Sequence, residues 1–341
     1  MQRVALRQND VVKVLFIGGT GIISSACSPL AISKGIDLYL LNRGKSHRGI
    51  PEGAKVLHGD IRDRASAEAA LAGHSWDAVV DWIAFTPEHI QTGLDLFEGK
   101  TGQFIFISSA SAYQTPPSTL PITESTILDN PFWQYSRNKI ACEEMLVNAY
   151  RKHKFPFTIV RPSHTYDRTL LPFDGGYTVV DRMRKGKPVA VAGDGTSIWT
   201  LTHHADFAKG FVGLLGNSHA IAESYHITSD EWLTWNQIYD LVASAAGTVA
   251  NKVHVPSDVI AATDLGWGPG LLGDKANSSI FDNSQIKRAV PEFICTTPFS
   301  EGAREIMSWF DADPGRQKVD AEADRLMDEL IEKVSRESSA K

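Results

Sequence analysis

The chain has 341 residues, 43% of them hydrophobic and 22% charged, so it can bury a large core and has neither a disordered nor a fibrous composition. Its 40 acidic residues outnumber 34 Lys and Arg, and the formal charge of −6 argues against general affinity for nucleic acid or an anionic membrane. The sequence has no signal-peptide pattern and no apolar run of about 18 residues, and its three cysteines lack disulfide or metal spacing. We therefore expect a cytoplasmic protein without membrane or nucleic-acid partners.

Strands and helices alternate through the first half of the chain. After an apolar run at 11–17 and a helix that ends near Lys34, further strands are predicted at 36–41, 56–58, 78–80, 103–108 and 157–160, and helices at 64–72, 87–97 and 134–152. Such alternation predicts an α/β fold built on a Rossmann-type, doubly wound parallel sheet.

The regular alternation of strands and helices ends after Pro162, where turn-rich stretches separate shorter elements. This change predicts a smaller α/β substrate lobe, followed by an amphipathic helix at 321–334. The expected organisation is an N-terminal extension at 1–10, a dinucleotide-binding domain at 11–172, a substrate-binding lobe at 173–315 whose chain is partly interleaved with the first domain, and a C-terminal helix within 316–341.

A glycine-rich turn, 18–24, lies between the first strand and the first helix. Glycine lets the backbone turn tightly and approach a pyrophosphate, and the helix N-terminus offers free N–H groups. The usual third glycine is Ser24, which leaves the pattern incomplete, and a purely structural turn is the alternative. The predicted dinucleotide contacts here are Gly18, Thr20, Gly21, Ile22 and Ile23.

The end of the second strand should determine which dinucleotide binds, because an acidic residue there grips the ribose 2′-hydroxyl whereas arginine accommodates a 2′-phosphate. This chain has Asn42, Arg43 and Lys45 there and no carboxylate. The pattern favours NADP over NAD, with a solvated surface arginine as the alternative.

Tyr135 and Lys139 lie four positions apart on a predicted helix, so both side chains project from one face. A free tyrosine is a poor base at neutral pH, but a nearby positive charge stabilises the phenolate and lowers its pKa. This spacing predicts that Tyr135 transfers a proton while Lys139 tunes it.

A cluster of serines follows the strand at 103–108, at the edge of the sheet where ligands bind. We expect Ser109 to hydrogen-bond the substrate oxygen and hold it for Tyr135, with Ser111 as the second choice. A helix cap or a turn is the alternative role for such a cluster.

These features together resemble the extended short-chain dehydrogenase/reductase family, in its NAD-dependent epimerase/dehydratase group. The similarity spans about 11–310 and rests on the turn at 18–23, Gly59-Asp60-Ile61-Arg62-Asp63, the segment 108–113, Tyr135 with Lys139, Arg161-Pro162 and Gly193-Asp194-Gly195. The resemblance implies that Asp60 and Ile61 bracket the adenine, that Ile83 and Ala84 line the dinucleotide, and that Pro162 and Ser163 face the nicotinamide. A loop cap for Asp60 and core packing for Ile83 are the alternatives.

The chain departs from the family pattern at the substrate. Family dehydratases carry an acidic pair where this sequence has Ala110 and Ser111, so oxidation, reduction and epimerisation remain. His164 and Trp199 replace an asparagine and an arginine that contact substrate phosphates, which weakens a nucleotide-diphosphate site. Ser111, His164 and Trp199 are therefore the expected substrate residues, and Trp199 either stacks on a sugar or packs in the interior.

Adjacent His203 and His204 should point apart, so no metal site is expected.

The leading hypothesis is an NAD(P)-dependent oxidoreductase acting on a secondary alcohol or ketone of a sugar-like compound. Two alternatives stay open: an epimerase that oxidises its substrate transiently, and a catalytically idle RNA-binding protein of the same fold, since the Asn-Arg-Gly ending of the second strand resembles chloroplast RNA-associated relatives. The resemblance also leaves a homodimer open.

Overall fold

A computed structural model describes residues 11–45, 48–263 and 266–339 of the chain. The expected extension at 1–10 lies outside these residues. The strands are β1 Lys13–Ile17, β2 Asp37–Asn42, β3 Lys55–His58, β4 Ala78–Asp81, β5 Phe104–Ile107, β6 Phe157–Pro162, β7 His164–Tyr166, β8 Val189–Ala192, β9 Ile198–Trp199, β10 Leu201–His203, β11 Ser224–Ile227, β12 Leu233–Thr234 and β13 Lys252–Val255.

The helices that connect them are α1 Ser24–Ser33, α2 Arg64–Leu71, α3 Pro87–Phe97, α4 Gln134–His153, α5 Tyr177–Arg184, α6 His204–Val212, α7 Trp235–Ala245, α8 Ser257–Ala261, α9 Gly268–Gly270, α10 Ser284–Ala289, α11 Phe299–Asp311 and α12 Ala321–Ser339. A π-helical turn, Leu271–Lys275, follows α9, and a 3-10 turn, Ala110–Ala112, follows β5.

Within the described residues, the main sheet has seven parallel strands in the order β11-β6-β5-β4-β1-β2-β3. The order reverses between β1 and β4, which creates the crevice where ligands bind in doubly wound sheets. The strand predicted from Val11 begins at Lys13 instead, since Val11 is exposed. The predicted Rossmann-type sheet is confirmed.

Apolar residues cover both faces of the central strands, as a parallel sheet enclosed by helices requires. One face packs against α1, α6 and α10, and the other against α2, α3 and α4. Strand β11 and helix α6 therefore belong physically to the nucleotide half, although they lie within 173–315 along the chain. The chain crosses between the two halves more than once.

A second core lies in the C-terminal half, where α5, α7, α11 and α12 pack around β8. Arg182, whose side chain is fully buried, ties α12 to this core by pairing with Asp324 and Asp328. None of the helices in the described ranges combines the length and the apolar character that crossing a bilayer demands.

Candidate active site

The turn after β1 is shaped by two glycines in the left-handed region. Gly18 and Gly19 have φ angles of 91° and 86°. A Cβ on Gly19 would lie 2.9 Å from a methyl group of Leu40, so no larger residue fits there. Ser24, in the place of the third glycine, is buried and its Oγ accepts a hydrogen bond from the N–H of Gly21 at 2.8 Å. The serine therefore braces the turn.

The end of β2 carries a charged pair that the sequence did not predict. The guanidinium of Arg43 lies 3.7 Å from a carboxylate oxygen of Asp60, which follows β3. Asn42 accepts a hydrogen bond from the N–H of Gly44 at 2.9 Å, and Lys45 is exposed. Arg43 consequently faces an acidic group of its own chain rather than standing free for a phosphate.

The end of β4 forms the next part of the same edge. Ala84 is buried and its carbonyl oxygen accepts a hydrogen bond from Nζ of Lys139 at 2.7 Å, whereas Ile83 is half-buried. Ile61 is buried in the core beneath the sheet edge, so its side chain is not open to a ligand. One oxygen of Asp81, buried at this edge, has no hydrogen-bond partner among the described residues.

Tyr135 and Lys139 project from one face of α4, as predicted. Nζ of Lys139 donates to the carbonyl oxygens of Ala84 and Ile107, at 2.7 and 2.8 Å, and lies 5.5 Å from the centre of the Tyr135 ring. Burial lowers the pKa of Lys139 to about 8. The two carbonyls thus fix the ammonium beside the tyrosine.

The phenol of Tyr135 stands at one end of a chain of hydroxyls. Burial raises its pKa, a hydrogen bond with Ser109 opposes that rise, and the negative charge of Asp274 adds to it. Oγ of Ser109 lies 2.9 Å from Oγ of Ser111, which lies 2.8 Å from Oγ of the buried Ser136. Ser109 therefore contacts the tyrosine, and Ser111 holds Ser109 in place.

These groups open into one cavity of about 350 Å³, which we call the active-site cavity. Of the predicted residues it brings together Ser109, Ser111, Tyr135, Pro162, Ser163, His164 and Trp199; its other walls are Ala110, Trp133, Thr200, Asp274, Ser279 and Phe281. Burial lowers the pKa of His164 to about 3, so this imidazole is neutral at pH 7, and its Nε2 has no hydrogen-bond partner among the described residues. The cavity adjoins the carboxyl ends of β5 and β6.

Trp199 has its predicted place but not the stacking role. Its side chain is 2% exposed, with the rings of His164 and Trp235 at centroid distances of 4.6 and 4.7 Å. No face is left open for a sugar ring. Its Nε1 donates to Asp274 at 3.4 Å, so Trp199 supports another residue of the cavity.

The prediction that His203 and His204 point apart is wrong, because their rings are in edge-to-face contact with centroids 4.7 Å apart. Each ring nevertheless has a different partner. His203 lies 3.1 Å from a carboxylate oxygen of Glu305 in α11, and His204 lies 2.9 Å from the hydroxyl of Ser25 in α1. No cluster of metal-ligating side chains occurs among the residues that the structure describes.

Sequence reasoning missed Asp274 and Asn130. Asp274 lies in the π-helical turn more than 130 positions from Tyr135, and nothing in its local pattern distinguishes it from a surface acid. Asn130, 1% exposed, donates to the carbonyl oxygens of Ser111 and Gly273 at 2.8 and 2.7 Å. An asparagine before a proline predicts only a turn.

Comparison with known proteins supports a relationship over the nucleotide half. A model of the family described as NAD dependent epimerase/dehydratase matches residues 14–228, more than half of the chain. A chloroplast stem-loop binding protein of 41 kDa from Arabidopsis thaliana is 27% identical over 253 residues, 69% of this chain and 63% of that protein. UDP-glucose 4-epimerase from Lactobacillus helveticus is 30% identical over 169 residues, 44% of this chain and 51% of the epimerase. The matches thus cover less than two thirds of either relative.

Solved structures share the fold over most of the chain. UDP-glucuronic acid 4-epimerase from Bacillus cereus, in complex with UDP-glucuronic acid and NAD, superposes with a TM-score of 0.69 at 17% identity, covering 88% of this chain and 99% of that one. Both this neighbour and the matching family model carry NAD in their descriptions. The expected preference for NADP is therefore not supported.

Proposed function

Because the chain belongs to the NAD-dependent epimerase/dehydratase family, we propose that it is an NAD-dependent enzyme that oxidises a secondary alcohol of a sugar-like substrate. The observation that carries this proposal is the position of Lys139, held by two carbonyl oxygens beside the ring of Tyr135, whose phenol contacts Ser109. Together these side chains can orient an alcohol and accept its proton, which is the proton transfer that accompanies removal of a hydride.

The residues at the sheet edge fit a dinucleotide. Gly18 and Gly19 form a turn that a Cβ would fill, and such a turn before a helix N-terminus suits a pyrophosphate. Thr20, Gly21, Ile22 and Ile23 would complete this contact. Asp60 would hold the adenosine end together with Asn42 and the backbone of Ile61, and Ile83, Ala84, Pro162 and Ser163 would lie along the nicotinamide half.

The pair of Arg43 and Asp60 favours NAD over NADP. A 2′-phosphate placed near Arg43 would also approach the carboxylate of Asp60, and the two negative charges would repel each other. Arg43 and Lys45 are exposed, so their attraction for that phosphate is weakened by solvent. NAD, which has hydroxyls there, avoids this repulsion.

In the proposed reaction, NAD held along the sheet edge would supply the acceptor for the hydride on the carbon that bears the substrate hydroxyl. Ser109 hydrogen-bonds the substrate oxygen and orients it toward Tyr135. Tyr135 in its phenolate form would then take the hydroxyl proton. Burial raises the pKa of this phenol in the cofactor-free protein, so the positive charges of Lys139 and of bound oxidised nicotinamide would have to offset that rise. In the reverse direction the phenol returns the proton. Dehydration is not part of the proposal, because Ala110 and Ser111 supply neither an acid nor a base.

Epimerisation is the second candidate, and the epimerase from Lactobacillus helveticus is the relative that favours it. An epimerase uses the same proton and hydride transfers, but it keeps its cofactor and returns the hydride to the other face of the keto intermediate. Cofactor retention therefore distinguishes epimerisation from net oxidation.

RNA binding, suggested by the Arabidopsis relative, is a third candidate, but it would leave the assembly of Tyr135, Lys139 and Ser109 without a role.

The test is to denature the purified protein and identify any released dinucleotide by mass. Retained NAD supports the epimerase, whereas an empty protein that binds added NAD supports net oxidation. A protein that neither retains nor binds NAD, but shifts an RNA hairpin in a salt-sensitive way, would refute both enzymatic candidates.

A further inference from the structure

The active-site cavity has an acidic wall. Asp274 is the carboxylate among its lining residues, and none of the described lining residues is Lys or Arg. Such cations strengthen the binding of phosphate groups through charge-assisted hydrogen bonds. The described lining of the cavity offers a diphosphate no cationic side chain, and the ionised carboxylate of Asp274 would repel one.

The nearest basic side chain beyond the lining residues is Lys275, which follows Asp274. Its Nζ pairs with Asp174 at 3.0 Å and lies 5.7 Å from the ring centre of Trp199, so its positive charge partly offsets the negative charge of Asp274. His164 is neutral at pH 7 because burial holds its pKa near 3. Among the described lining residues, Asp274 is therefore the side chain that can carry a negative charge.

The carboxyl group of Asp274 has hydrogen-bonding capacity to spare. Among the described residues, Nε1 of Trp199 donates to one of its oxygens at 3.4 Å, which is a long hydrogen bond. Burial raises its pKa, as expected for a carboxylate whose partners are incomplete. A ligand that brings hydroxyl donors would satisfy it, since a carboxylate accepts several hydrogen bonds.

The remaining walls suit an uncharged sugar. Trp133 and Phe281 are half-buried and line the cavity, and Trp133 lies at 4.8 Å from the ring of Tyr135. Aromatic faces pack against the C–H surface of a ring, and Ser279 adds a hydroxyl to the lining, whereas the hydroxyl of buried Thr200 already donates to the carbonyl oxygen of Ser279 at 2.9 Å. The volume of about 350 Å³ is near the lower end of the range for small-ligand sites.

We propose that the substrate is an unphosphorylated sugar or polyol whose hydroxyls are bound by Asp274, and that the cavity excludes nucleotide diphosphates. This inference rests on the proposed function for the hydride-transfer step. It goes beyond that function because it assigns Asp274 as a specificity residue and gives this chain a different substrate class from the relatives that are named for UDP-sugars.

The first test measures binding without turnover, so it is independent of the proposed catalysis. UDP-glucose is titrated calorimetrically into the NAD-loaded protein and into its Asp274→Asn variant, which keeps the side-chain shape and removes the charge. We expect wild-type affinity in the millimolar range and a gain of about tenfold or more in the variant. Asp240→Asn, which removes an exposed carboxylate from the same lobe, should change nothing.

Micromolar binding of UDP-glucose by the wild type would overturn the proposal, and so would equally weak binding by wild type and variant.

The second test offers NAD-loaded protein a panel of free aldoses and alditols, each paired with its phosphate ester, and follows NADH at 340 nm. We expect a neutral member to be oxidised with kcat/KM about tenfold or more above that of its phosphate. The proposal would be refuted if only the phosphate esters were oxidised, or if none of the neutral compounds was oxidised.

If the protein binds NAD and discriminates against UDP-glucose but Tyr135 proves irrelevant to turnover, the catalytic proposal fails and the binding inference stands. If Tyr135 is essential but UDP-glucose binds tightly, the catalytic proposal stands and the inference about substrate binding fails.

Discussion

The side-chain amide of Asn130 donates to the carbonyl oxygen of Gly273 at 2.7 Å, and so joins segments 143 positions apart. The same amide donates to Ser111, and its oxygen accepts from the N–H of Trp133 at 3.2 Å. One buried residue therefore locates the serine loop, the aromatic wall and the turn that carries Asp274.

Asn130→Asp tests this relationship, because it keeps the acceptor and the shape but removes the donor. Two buried carbonyl oxygens would then face a carboxyl group, and we expect a loss of about 3 kcal/mol in the free energy of unfolding. Turnover should fall by about tenfold or more, while NAD affinity stays within about twofold, since Asn130 lies among the substrate walls. Urea unfolding and calorimetry measure these effects. Unchanged stability would show that the two contacts do not hold the cavity together.

Gly19→Ala and Gly21→Ala form a matched pair for the cofactor turn. At Gly19 the φ angle of 86° and the approach to Leu40 leave no room for Cβ, whereas at Gly21 the nearest atom would lie at 3.6 Å. We expect Gly19→Ala to lower the free energy of unfolding by about 2 kcal/mol or more, and Gly21→Ala by about 0.5 kcal/mol at most. Thermal unfolding of both variants checks this. Equal stability of the two would refute the steric argument.

The sequence predicted the parallel sheet, the glycine turn and the spacing of Tyr135 and Lys139, because each depends on a local pattern of period, turn or cap. It did not predict the pair of Arg43 and Asp60, and it left open whether Trp199 stacks on a sugar or packs in the interior. Those depend on tertiary contacts: Arg43 and Asp60 follow different strands, and Trp199 is covered by Trp235 from another helix. Asp274 reaches the cavity only because α9 and the π-helical turn bring it there.

The preference for NAD over NADP should depend on Asp60. In wild-type protein we expect NAD to bind about fivefold tighter or more, because the carboxylate repels a 2′-phosphate. Asp60→Asn removes that charge and frees Arg43, so the preference should shrink by about fivefold. Calorimetric titration with both dinucleotides measures the ratio. Tighter binding of NADP by the wild type would contradict this reading of the Arg43 pair.

Protonation of buried His226 should weaken the fold at acidic pH. Its Nδ1 accepts from the hydroxyl of Tyr113 at 3.0 Å, its Nε2 donates to the carbonyl oxygen of Asp282 at 2.7 Å, and burial lowers its pKa to about 4. The unfolded chain takes up the proton near pH 6.5, so this residue's contribution to stability is lost as pH falls from 6.5 toward 4.

Between pH 7 and pH 5 we expect His226 to account for about 2 kcal/mol of lost stability. Urea unfolding of wild type and His226→Gln at both pH values isolates this amount as the difference between their pH dependences. His219→Gln, at an exposed histidine, serves as the control and should behave as wild type. An identical pH dependence in all three proteins would show that His226 does not titrate in this way.

The central claim is that Tyr135 moves the substrate proton beside Lys139. Its most direct test is the rate of NADH formation by wild type and Tyr135→Phe on a substrate that the wild type oxidises. The NAD affinity of both proteins is measured in parallel. We predict that NAD affinity stays within about twofold while kcat falls by about a thousandfold or more. A variant that keeps full activity would contradict the account.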